Sequence, residues 1–167
     1  MNLLSRRLFL KNSFLSSVIL LTCSGELFAA ITPAQTIGIL HKDLFPSSDI
    51  LPDVKFINAN LYLNKIFVSS KISDEDKTFL RDGVTWLNEE AVSKYKKVYG
   101  DLSKKQRAKV LQDVVDTDWG ESWLANIMNY LLEAMLGDPI YGGNKDEMGW
   151  TWLNYQAGIP RPTRAFI

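Results

Sequence analysis

The sequence predicts one small, mostly α-helical domain behind an N-terminal leader. Three observations carry this. Apolar residues recur at steps of three and four along several stretches. Serine caps and glycine or proline stops bracket those stretches. No repeat, low-complexity tract or internal boundary divides the 167 residues, so positions 1–30 read as leader and 31–167 as a single helical domain with an irregular, glycine- and aromatic-rich C-terminal segment.

The leader opens with Ser5-Arg6-Arg7-Leu8-Phe9-Leu10-Lys11, a twin-arginine export pattern in which Ser5, Arg6, Arg7, Phe9, Leu10 and Lys11 are the read positions. An apolar run from Phe14 to Leu21 follows, broken by Ser16 and Ser17 and far short of the ~20 residues a spanning helix needs. Its end has three candidate readings. One is cleavage after Phe28-Ala29-Ala30. A second is cleavage at Thr32-Pro33-Ala34, and the third is acylation at Cys23 after Leu20-Leu21-Thr22. The pattern predicts a folded part that works outside the cytoplasm.

Thr32 then reads as an N-cap with Pro33 at the first helical position, for a helix to about Leu44 stopped by Pro46. Asp53 is the candidate cap of a second helix with Val54, Ile57 and Leu61 on one face, although Lys55 to Leu63 also partly alternates as a strand would. Ser73-Asp74-Glu75-Asp76 caps a longer helix, with acid in its first turn and a stripe of Leu80, Val84, Leu87, Ala91, Tyr95 and Val98, ended by Gly100. Ser103 to Gln106 forms a capping box ahead of Val110, Leu111, Val114 and Val115. From about Glu121 to Leu136 a further helix carries Leu124, Ile127, Met128, Leu131, Leu132 and Met135, closed by Gly137 with Asp138-Pro139 beyond it. Gly137 to Gly158 holds five glycines with Tyr141, Trp150, Trp152 and Tyr155, too many glycines for a regular helix or strand, and Tyr141-Gly142-Gly143-Asn144 reads as a tight turn with positive φ.

Composition narrows the function. Lys+Arg and Asp+Glu number 19 each, and since the leader holds Arg6, Arg7 and Lys11 against Glu26, the rest is slightly acidic. That excludes a strongly basic nucleic-acid footprint. Cys23 is the single cysteine and falls in the leader, so the mature domain makes no internal disulfide and no thiolate metal site. His41 is the single histidine and is expected on the surface. No zinc set, nucleophile triad or G-x-G-x-x-G dinucleotide fingerprint can be assembled. Asp113, Asp116, Asp118 and Glu121 read as a solvated loop with a helix cap, Trp119 and Trp123 as core or interface, and Lys94, Lys96, Lys97, Lys104, Lys105, Arg107 and Lys109 as the solvated side of two helices, with phosphate binding as the lesser alternative. The expectation is a chain without catalytic, cofactor or metal residues of its own.

Gly137-Asp138-Pro139-Ile140-Tyr141-Gly142-Gly143-Asn144-Lys145-Asp146, followed by Gly149-Trp150, resembles the C-terminal signature of the gluconate 2-dehydrogenase subunit 3 family. Asp43-Leu44-Phe45-Pro46 resembles that family's opening, and Leu102-Ser103 with the helices through Leu136 its middle. The resemblance implies the small subunit of a membrane-associated, flavin-dependent sugar or sugar-acid dehydrogenase. In such complexes the large subunit carries FAD and oxidises the substrate, a cytochrome c subunit often takes the electrons, and the small subunit carries the twin-arginine signal read by the translocase. The ending Trp152-Leu153-Asn154-Tyr155-Gln156-Ala157-Gly158 departs from the family's Gly-Tyr-Pro-Gly-like end, and the substrate stays unassigned. Asp138, Pro139, Tyr141, Gly142, Gly143, Asn144, Trp150 and Trp152 are the expected partner-docking residues, since aromatics supply much of the energy of interfaces. The rival expectation is a free-standing periplasmic enzyme or sugar-binding module using the tail aromatics and the carboxylates of 113–121.

Overall fold

The computed structural model describes residues 33–48, 53, 54 and 57–166. The leader, with its arginine pair and Cys23, lies outside the described residues, and so does the cap candidate Thr32. Among those described there are six α-helices and no strand: α1 Pro33–Leu44, α2 Ala59–Val68, α3 Asp74–Tyr95, α4 Lys104–Val115, α5 Gly120–Leu136 and α6 Met148–Trp152. Short 3-10 turns occupy Tyr99–Asp101, Pro139–Tyr141 and Lys145–Glu147. None of these helices is long and apolar enough to cross a membrane.

Helix α5 is the hub, packing against α2, α3, α4 and α6. Its stripe of Leu124, Ile127, Leu131 and Met135 is buried. Trp123 joins it with no exposed surface and donates from Nε1 to the carbonyl of Leu80 at 3.2 Å. Gly83 makes that approach possible: a Cβ there would lie 2.0 Å from the indole nitrogen, so any side chain would drive the ring out.

Local signals set most helix starts. Ser73 accepts from the Asp76 amide at 3.0 Å. Ser103 and Gln106 make the reciprocal capping box, with the Ser103 amide donating to Gln106 Oε1 at 2.9 Å. Two boundaries differ from expectation. The second helix begins at Ala59, after Asn58 in the left-handed region (φ 56°), not at Asp53. This resets the phase: Val54 and Ile57 are still buried, but Leu61 is 49% exposed and the inner face is Ala59, Tyr62, Leu63 and Ile66. Helix α3 stops at Tyr95 with Lys96 left-handed (φ 58°), ahead of Gly100. The early stop lets Tyr99 turn inward, where it is fully buried.

Tyr99 completes a polar knot. Its hydroxyl donates to Asp43 Oδ2 at 2.8 Å. Arg107 donates to the same carboxylate from Nε at 2.6 Å and from Nη2 at 3.0 Å, and from Nη1 to the Leu102 carbonyl at 2.8 Å. Burial and the Asp43 charge together push the Tyr99 hydroxyl well above its usual range, and the same carboxylate raises Arg107. Arg107 is thus not part of a solvated basic face. It falls on one helical stripe with Val110 and Val114 and clamps α4 to the end of α1.

His41 also corrects its expectation. It is 3% exposed, on the α1 face that holds Ile37 and Leu40, and burial lowers its pKa from 6.5 to about 4.

Candidate functional site

The described C-terminal segment is built on the end of α5. Gly137 continues the chain in an extended conformation, and the Asp138 carboxylate caps the next turn, accepting from the Ile140 amide at 3.0 Å. Pro139 starts that 3-10 turn and Gly142 ends it with φ 93°, the left-handed geometry that glycine adopts without cost. Gly143 then passes so close to α5 that a Cβ would sit 2.2 Å from the Ala134 carbonyl oxygen. Three nearby residues without glycine's freedom also have positive φ: Asn144 (45°), Asp146 (54°) and Glu147 (59°). Such a run costs energy and needs compensation from its surroundings.

Asn144 supplies part of it. Its side chain is 1% exposed, donates from Nδ2 to the Gly137 carbonyl at 2.9 Å and accepts at Oδ1 from the Gly149 amide at 2.8 Å. One amide therefore ties the end of α5 to the start of α6. Trp150 closes the same joint, donating from Nε1 to the Leu136 carbonyl at 2.6 Å. From α2, Lys65 reaches the Ile140 carbonyl at 3.2 Å and Tyr62 donates to Glu133 at 2.9 Å, which with burial raises the tyrosine pKa.

The eight expected docking residues thus come together in one neighbourhood, in different roles. Asn144 and Gly143 are inside it, and Trp150, at 6% exposure, is engaged by the fold itself. Asp138, Pro139, Tyr141 and Gly142 are half-buried, as is Trp152, whose ring meets Phe45 edge-on at 6.3 Å between centroids. The segment is also more regular than expected, since Met148–Trp152 is helical. Around the joint lie apolar side chains open to solvent: Leu61 beside Gly142, Leu136 at the end of α5, and Leu153 and Tyr155 after α6, the last two 50% and 56% exposed. Sequence reasoning missed Leu61 and Leu153 as exposed positions; the signal for Leu61 is an apolar residue out of phase with its helix's inner stripe, and Leu153 follows the end of α6.

Away from the turn, one of the four carboxylates of 113–121 is held in ion pairs. Asp113 receives Lys94 and, at 3.0 Å, Lys109, and these hydrogen bonds hold its carboxyl below the usual range. Trp119 stands between Trp86 (5.0 Å between centroids) and Trp123 (6.0 Å) in an aromatic run extended by Phe79. Among the described residues no group of three or more His, Cys, Asp or Glu is placed to hold a metal.

These features define a class: a small all-helical domain whose central helix ends in a glycine turn pinned by a buried asparagine. The sequence profile described as gluconate 2-dehydrogenase subunit 3 matches residues 34–158, from α1 through the turn and α6. The chain belongs to that family, and so is a subunit of a multi-subunit dehydrogenase. No curated protein and no solved structure matches it.

Proposed function

We propose that this chain is the non-catalytic accessory subunit of a periplasmic, membrane-associated, FAD-dependent dehydrogenase of the gluconate or sugar type. Its twin-arginine signal carries the flavoprotein large subunit through the translocase, and its C-terminal neighbourhood supports assembly. FAD belongs to the large subunit and haem to a cytochrome c subunit, while this chain holds neither, and its membrane association runs through the complex. The observation that carries the reading is the family match over 34–158. Two features of the molecule support it. The single histidine is buried and held neutral within α1. The glycine turn gathers its strained backbone beside exposed Leu61, Leu153 and Tyr155, a combination suited to docking.

The experiment is Arg6→Lys together with Arg7→Lys. Cell fractionation with flavin fluorescence should find both this chain and the flavoprotein stranded in the cytoplasm. Flavoprotein still reaching the periplasm in the double variant would overturn the carrier role. Purified by itself, the mature chain should show no visible absorbance band, and a stoichiometric flavin or haem spectrum would refute the cofactor assignment.

A further inference from the structure

Beyond Gly158 the chain folds back as an exposed strap. Ile159 is 94% exposed and Phe166 61%. Arg161 is what ties it down. Its Nε donates to Asp138 Oδ2 at 2.7 Å, its Nη1 donates to Glu147 Oε1 at 2.9 Å, and its guanidinium lies 4.6 Å from the centroid of the Trp150 ring. These three partners come from three segments: the cap after α5, the strained turn and α6. Positive φ at Glu147 is part of what places its carboxylate opposite that of Asp138.

A guanidinium suits this arrangement for a specific reason. It is planar, so it can lie against an aromatic face while its edges donate in two directions, which an ammonium cannot reproduce. The grip on the strap is nonetheless exchangeable. Arg161 and Glu147 keep 38% and 50% of their side-chain surface in water, where ion pairs are individually weak. The three receiving residues lie inside the family-matched stretch and Arg161 lies outside it.

We propose that Asp138, Glu147 and Trp150 form a guanidinium-binding site, filled by Arg161 in the isolated chain and taken over by an arginine of the partner subunit in the complex. The identity of that partner rests on the accessory-subunit reading; the site itself does not. Exchange conserves both ion pairs and releases the strap, leaving the neighbouring Tyr155 and Leu153 open to contact.

The test has two arms. In the first, full-length mature Arg161→Ala protein, with Arg161→Gln as a second variant, is titrated with N-acetyl-arginine amide while the Trp150 indole N–H resonance is followed. A saturable shift is expected in both variants. It should be about tenfold weaker with the lysine amide, because the planar fork is lost. It should vanish with the neutral citrulline amide and when Asp138→Asn is added. No saturable shift, or equal response to citrulline, overturns the site. In the second arm the Arg161→Ala chain is co-purified with the flavoprotein. Association several-fold tighter than wild type is expected, and unchanged or weaker association overturns the takeover. Failure of the wild-type chain itself to associate would instead count against the accessory-subunit reading, with the first arm unaffected.

Discussion

At the scale of single residues, His41 makes stability depend on pH. Its folded-state pKa of about 4 lies below the 6.5 of a solvated imidazole. Between those values the unfolded chain binds a proton that the folded chain refuses. The unfolded state therefore gains as pH falls, and stability drops across that window with a slope of at most about 1.4 kcal/mol per pH unit. Above pH 6.5 the residue contributes no slope. Urea unfolding of wild type and His41→Gln at pH 7 and pH 5 measures this: the wild type should lose more stability between the two than the variant does. Equal losses would show that His41 charges without penalty inside the fold. The burial was partly legible, because His41 stands four residues after Ile37 and next to Leu40 on the α1 stripe. What the sequence withheld was the neighbour that covers that stripe, which comes from distant parts of the chain.

Elements were legible where their determinants are local. Ser73 and the Ser103–Gln106 pair fix two starts by bonds that span three residues, and both were found where the sequence placed them. Boundaries set from a distance were not. Helix α3 stops at Tyr95, and the stop lets Tyr99 reach Asp43, a contact 56 residues away that nothing near Lys96 announces. Left-handed backbone is costly for lysine and easy for glycine, so Lys96→Gly should raise stability by about 0.5–1 kcal/mol. Thermal unfolding reads the change directly, and a lower melting temperature would mean that the Lys96 side chain contributes more than its backbone strain costs. The candidate site shows the same division. Its turn was visible in Tyr141-Gly142-Gly143-Asn144, whereas the inward commitment of Trp150 depends on the Leu136 carbonyl that α5 happens to leave uncapped.

For the molecule as a whole, the question is which surface faces a partner. Trp150 is spent on internal packing, so its removal should loosen the tail as well as any interface. Leu61 and Leu153 are cleaner probes, being exposed and outside the core. Leu61→Asp with Leu153→Asp should leave the melting temperature within a degree or two. The pair should cut co-purification with the flavoprotein at least about tenfold, equivalent to roughly 1.4 kcal/mol. Intact co-purification would move the docking surface away from the glycine turn.

The knot of Asp43 with Arg107 and Tyr99 has a consequence in time. On a ribosome α1 is made early, yet the guanidinium that holds its end lies 64 residues later. At about 5–20 residues per second, that is a wait on the order of 3 to 13 s. Through that interval α1 can already pack against α2 and α3, but its end lacks this clamp, and a chain interrupted before residue 107 never acquires it. The end of the first helix is therefore fastened only after three further segments of the domain have been made, which ties its final seating to the arrival of α4.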